Sequence, residues 1–228
     1  MKIFATSDIH GNKALMAKLK EMSAISDLVL ICGDVGGKEY FFRDILDFSA
    51  QQRKDAEYLD SLLSDIGATS RFILGNDDWF EYDGGNYLSK SEDIGGEHLV
   101  PFEYVGITPF NTNREANENK LRYELGKLTC ADGSCPNENS IIVAHMPPYG
   151  AGDVLYNGSH CGSKAIRQWI EGVQPKLWLC GHIHEDFGMD NIGGTIVLNC
   201  ACRHERNIFA GWLIDTETLD IQAIKEHV

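Results

Sequence analysis

Seven short runs rich in β-branched and aliphatic residues, at 3–7, 28–32, 71–74, 104–107, 140–144, 177–180 and 195–199, alternate with stretches of helical periodicity. Most of them stop at Gly, Asp, Asn or His. This alternation predicts an α/β fold. It also has a functional corollary, because strand ends in such folds converge on one edge of a sheet, where loops unite residues remote in sequence. Two late runs, 209–215 and 220–224, read as a terminal hairpin.

The helical stretches have identifiable starts and stops. Residues 12–22 place Leu15, Met16, Leu19 and Met22 on one face behind Asn12 as N-cap. Residues 38–66 read as two helices or one bent helix, because 49–57 is strongly polar before Leu59, Leu62, Leu63 and Ile66 restore an apolar face. A further helix is expected at 162–172, capped by Ser163, with Ile166, Trp169 and Ile170 inward and Pro175 preventing its continuation. Residues 111–139 are the least regular, with an amphipathic helix expected at 114–127 and an exposed loop at 129–139. No repeat or linker interrupts the 228 residues, so one α/β domain is expected over residues 1–228.

A formal net charge of -14 disfavours broad contact with nucleic acid or an anionic membrane, since both are bound mainly through cationic side chains. A local cationic centre can still hold a phosphate. The chain enters its first strand at once, without a leader-like sequence, and no run is long and apolar enough to span a bilayer, so a cytoplasmic protein is expected. Seven scattered cysteines suit reduced, packed thiols. A disulfide or metal site from Cys130 and Cys135, alone or with Cys200 and Cys202, fits less well because neither spacing is the two-residue zinc turn.

Five of the strand ends carry chemistry: Asp8-Ile9-His10, Gly33-Asp34, Gly75-Asn76-Asp77-Asp78, Ala144-His145 and Gly181-His182-Ile183-His184. Each alone is compatible with a capped turn. Together they supply Asp8, His10, Asp34, Asn76, His145, His182 and His184, a ligand set for two metal ions.

In this order the motifs resemble the calcineurin-like metallophosphoesterase superfamily, whose pattern is DxH, GD, GNH(D/E), H and GHxH. The resemblance runs from Lys2 to about Asn199 and departs from the pattern at Asp77, where many relatives carry His. It implies a four-layer α-β-β-α sandwich of two mixed sheets flanked by helices, with metals at the strand ends. It further implies that Asp8, His10 and His184 bind one ion, that Asp34 bridges to a second, and that Asn76, His145 and His182 complete the second site. Mn²⁺ is the first expectation for both, with Fe or Zn as alternatives. The implied reaction is hydrolysis of a phosphate ester by solvent-derived hydroxide between the metals, with Asp34, Asn76, Asp77 and His145 as the catalytic set.

The departure at Asp77 bears on substrate. A carboxylate held ionised beside two dications is a poor proton donor and repels a dianionic monoester more than a monoanionic diester. A small phosphodiester, or a substrate with a good leaving group, is therefore expected, with a nucleotide diester among the candidates. The alternatives are a phosphomonoester or phosphoprotein, and a noncatalytic metal-binding interaction module on the same fold. Asp78 is expected to orient a ligand histidine. Trp79, Phe80 and Tyr82 are candidates for base stacking or for anchoring their loop. The run from His160 to Lys164 is a candidate anion-binding helix start or a simple cap, and Asn12 a cap or a substrate contact. Relatives often have Asn-Pro-Gly where this chain has Asn199-Cys200-Ala201-Cys202. In the segment after it, Arg203, His204 and Arg206, the two arginines are candidates for a nonreacting phosphate oxygen.

Overall fold

A computed structural model describes residues 1–38 and 43–228. In chain order its elements are β1 (Lys2–Thr6), α1 (Lys13–Ser23), β2 (Leu28–Cys32), α2 (Ile45–Asp65), β3 (Thr69–Ile73), β4 (Glu92–Ile94), β5 (Glu97–Phe102), β6 (Val105–Gly106), β7 (Glu115–Ala116), α3 (Glu118–Leu125), β8 (Ser140–Ala144), α4 (Lys164–Val173), β9 (Leu177–Cys180), β10 (Gly188–Ile192), β11 (Thr195–Asn199), β12 (Ile208–Asp215) and β13 (Ile221–His227). Two sheets dominate. The first runs β13-β12-β1-β2-β3, antiparallel from β13 to β1 and parallel from β1 to the edge strand β3; the second runs β10-β11-β9-β8-β5-β4, with a parallel centre and antiparallel edges.

Side-chain alternation explains the layers. In β2, Leu28 and Leu30 face the second sheet and meet Leu99, Ile141 and Val143, whereas Val29 and Ile31 face outward onto Leu15, Leu19 and Leu59 of α1 and α2. Both faces are thereby covered, which is why the strand is apolar throughout. On the far side, Leu121 and Leu125 of α3 and Ile166 and Ile170 of α4 pack with Val100, Ile142 and Trp178. The expected α-β-β-α sandwich is the one the chain adopts.

The N-caps fall where the sequence places them. The Asn12 side chain accepts from the amides of Ala14 and Leu15, and Ser163 from that of Ile166. Several elements differ from expectation. α2 is one continuous helix from Ile45, and the start of the expected 38–66 helical region falls partly on residues 39–42, outside the described residues. Its polar middle does not bend it, because Gln52 and Asp55 are buried and bond the loops beside them. The expected 114–127 helix is confined to α3, after Glu115 and Ala116 pair with Val105 and Gly106. Strands β4, β5 and β10 have no counterpart in the sequence reading. Pro101 disguises β5, but β4 pairs only as far as Leu99, so the missing amide proton faces an open edge. β10 is a polar edge strand, exposed at Met189, Asp190 and Asn191.

All seven cysteines are free thiols, as expected; Cys130 is buried with its sulfur 3.5 Å from Ser140 Oγ, and Cys135 is exposed. Among the described residues no helix is long and apolar enough to cross a membrane.

Candidate metal centre

The loops that follow β1, β2, β3, β8 and β9 bring all seven candidate ligands to one place. Asp8, His10, Asp34, Asn76 and His145 are buried, and His182 and His184 partly so. Four of them, Asp8, His10, Asp34 and His182, have positive φ. Non-glycine residues avoid that region, so each conformation costs about 1–3 kcal/mol and must be held by its surroundings. Backbone bonds do this: Asp8 N donates to Gly33 O at 3.1 Å and His10 N to Asp34 O at 2.9 Å. His182 N donates to Asp8 Oδ2 at 3.0 Å, and Asp77 N to Asp34 Oδ1 at 2.9 Å. Close approach fixes the glycines as well. A Cβ on Gly75 would collide with the Asp34 carboxylate, and one on Gly33 with the His145 ring.

Asp34 lies between two groups of donors. Its Oδ2 is 3.5 Å from His10 Nε2 and 3.4 Å from His145 Nε2. On the His10 side, Asp8 Oδ1 is 3.9 Å from His10 Nε2 and 3.1 Å from His184 Nε2. On the other side, Asn76 Oδ1 is 3.1 Å from His145 Nε2, and the rings of His145 and His182 are 5.2 Å apart. The rings and amide are aimed from outside. His145 Nδ1 is 2.7 Å from the Cys32 carbonyl, to which it donates, and this turns Nε2 inward. The Asn76 amide nitrogen donates to Thr112 Oγ1 at 2.8 Å, which leaves its oxygen facing the site.

Electrostatics separate the rings into two kinds. Burial depresses the His145 pKa, but Asp34 and Asp8 outweigh it and lift the ring to about 10. His184 is likewise raised, by Asp8 against burial. His182 is pushed down to about 4 by burial and by His145, and His10 is lowered by burial and Lys38. Asp34 is held low despite burial, by His145 and His10. The two buried carboxylates thus raise His145 and His184, while burial keeps His10 and His182 low.

Among the described residues, neither nitrogen of the buried His10 ring has a hydrogen-bond partner. Orphaned buried nitrogens beside paired carboxylates fit divalent cations, which take imidazole and carboxylate donors together. Asp8, Asp34 and His145 form one candidate ion-holding group, and His10, Asp34 and Asp77 another.

The remaining candidates sort differently. Asp77 pairs with Lys38 Nζ at 2.5 Å, while burial and Asp34 raise its pKa. Asp78 contacts no ligand histidine through its hydrogen bonds. Its carboxylate instead accepts from the amides of Val35, Gly36 and Gly75 and clamps the Asp34 loop to the Asn76 loop. Phe80 is buried, and Tyr82 packs on Phe72 and Phe80 and donates to Asp60, so both anchor their loop. The amides of Lys164 and Ala165 at the start of α4 already face the Glu118 carboxylate. Asn12 caps α1, and Arg203 donates to the carbonyls of His184 and Glu185.

Residues 1–186 match the calcineurin-like phosphoesterase family. The chain belongs to that family. Its members are metal-dependent phosphoesterases, in keeping with the grouped donors. Uncharacterized protein MJ1162 of Methanocaldococcus jannaschii is similar, with 29% identity over 210 residues and 87% of each chain covered. UPF0046 protein T07D4.2 of Caenorhabditis elegans is 29% identical over 107 residues, 45% of this chain and 27% of its own length. Among solved structures, TT1561 of Thermus thermophilus shares the fold, with a TM-score of 0.64 and 13% identity over 98% of this chain and 97% of that one.

Three residues at this calcineurin-like centre carry no motif signal. Lys38, four positions after Asp34, reaches Asp77. Gln52 of α2 supports the Asp77 loop, and His204 lies against His10 and His184. Lys38 and His204 share a local cue, each lying shortly after a strand end, whereas Gln52 has none.

Proposed function

We propose that this chain is a dinuclear metal-dependent phosphodiesterase acting on a small substrate. The observation that carries the reading is Asp34, whose single oxygen faces histidines of both donor groups at near-equal distance. Asp8, His10 and His184 would hold one ion with Asp34, and Asn76, His145 and His182 the other. When bound, such a pair supplies an acidified water and neutralises phosphoryl oxygens.

The chain's own residues favour a diester. Two cavities, of about 390 Å³ and about 350 Å³, open at the site and share Lys38. The first is walled by Asp77, Phe110, Thr112 and Glu185, and the second by Asn12, Glu205 and Asn207. A diester carries two substituents and a monoester one, so two cavities opening at the site suit a diester. Lys38 neutralises Asp77, so Asp77 alone does not repel a dianion. Glu185 and Glu205 keep the rim anionic all the same, which penalises the dianionic monoester more. Asp77, ion-paired and lacking an imidazole's protonation chemistry, leaves an alkoxide without a strong acid. Substrates with good leaving groups follow.

The test is turnover of bis(p-nitrophenyl) phosphate and p-nitrophenyl phosphate, which share a leaving group, by the manganese-loaded protein. Faster diester cleavage is expected. Monoester cleavage that is much faster would contradict the substrate assignment.

A further inference from the structure

After β11 the chain crosses from the second sheet to the first before entering β12, and midway it makes a short turn at His204–Arg206. That turn puts the His204 ring 4.1 Å from the ring of His10 and 5.3 Å from that of His184, centroid to centroid. One nitrogen from each of the three lies within 4.8 Å of the others. None of the five motifs contains His204, and it lies beyond the residues matched to the family.

The three rings do not satisfy one another. His10 Nδ1, His10 Nε2 and His204 Nδ1 are all buried without a hydrogen-bond partner among the described residues. The turn is nonetheless firmly placed. Arg203 donates to His184 O at 3.0 Å and Glu185 O at 3.1 Å, which ties it to the His184 loop. Asn12 Nδ2 donates to His204 O at 3.4 Å and Asn207 Oδ1 at 2.8 Å, which ties it to the His10 loop. The Glu205 carboxylate stands 3.6 Å from His204 Nδ1 and 3.7 Å from His184 Nδ1. At these distances the carboxylate hydrogen-bonds neither ring but adds negative charge beside both, which favours a cation between them.

We propose that His204 is a further protein ligand of the ion held by Asp8, His10 and His184, and that this three-imidazole site selects a borderline ion such as Zn²⁺ over Mn²⁺. The inference rests on the two-ion centre proposed above. Imidazole donors favour Zn²⁺ and Fe²⁺, whereas carboxylate and carbonyl oxygens favour Mn²⁺. The other site, with the Asn76 amide oxygen and two imidazoles, has one imidazole fewer, so the two ions would sit among unlike donors.

The test uses the whole chain labelled with ¹⁵N-histidine and titrated with Zn²⁺, with metal content measured in parallel. Of the eight histidines, the ring nitrogens of His10, His145, His182, His184 and His204 are expected to shift on loading. The His204 signal is assigned by its loss in His204→Gln. In dialysis against equal Zn²⁺ and Mn²⁺, His204→Gln should bind one Zn²⁺ equivalent at least about tenfold more weakly and keep the other ion. Two ions bound to the wild-type chain with the His204 ring unshifted would overturn this inference alone. A wild-type chain that takes up no ion would overturn the two-ion reading and this inference with it.

Discussion

At the residue scale the proposed ions compete with protons for the same donors. His145, held at about 10 by Asp34 and Asp8 against burial, is protonated at neutral pH in the ion-free protein, and an incoming ion must expel that proton. The sign follows. Apparent metal affinity should rise about tenfold per pH unit as pH increases toward 10, and calorimetry in buffers of different ionisation enthalpy should register at least one proton released near pH 7. Uptake without proton release would refute the assignment of His145. Asp77→His adds an imidazole where Asp77 now pairs with Lys38, and it should raise turnover of esters with poor leaving groups relative to good ones. An unchanged leaving-group trend would remove position 77 from proton delivery. The donors themselves were legible because each ends an apolar run in a short motif. Their partners were not: Thr112 behind Asn76 and the Cys32 carbonyl behind His145 act through backbone or lone hydroxyls, which carry no pattern. Asp78 shows the same limit, since an acid that binds three loop amides has the same letter as one that orients a ring.

At the scale of elements, α2 shows how a polar stretch can be misread. Helical periodicity assigns polar residues to solvent, yet Gln52 is fully buried and makes three bonds: to Gly37 O at 3.0 Å, to Asp77 O at 2.7 Å, and from Trp79 N at 2.9 Å. It staples two site loops to the helix. Gln52→Ala would leave those backbone groups unpaired in the interior and should lower stability by about 2–3 kcal/mol, read as a drop in the urea midpoint. A change near zero would mean that water replaces the amide. Strands β4, β5 and β10 escaped sequence reading for a related reason. They lie at or beside the sheet edge, where a proline or a run of polar residues is tolerated, whereas the buried parallel centre writes itself as unbroken apolar runs.

Over the whole molecule, the site lies where loops of two sheets meet. Asp8, Asp34 and Asn76 come from the first sheet, and His145, His182 and His184 from the second. An ion shared by these donors is bound by the folded chain and not by the unfolded one. Mn²⁺ at a hundredfold excess over its dissociation constant should add about 2.7 kcal/mol, with a raised melting temperature that EDTA reverses. No rise would separate the site from the packing of the sheets. The layered fold was legible because covered strands alternate with amphipathic helices. The passage of residues 200–207 between the sheets was not, because topology places His204 beside His10 across nearly the full length of the sequence. The central claim is that these loops enclose a pair of ions, and anomalous diffraction from crystals grown in excess Mn²⁺ tests it directly. Two peaks about 3.5–4 Å apart on either side of Asp34 are predicted. An empty pocket, or one ion with Asp34 turned away, would contradict it.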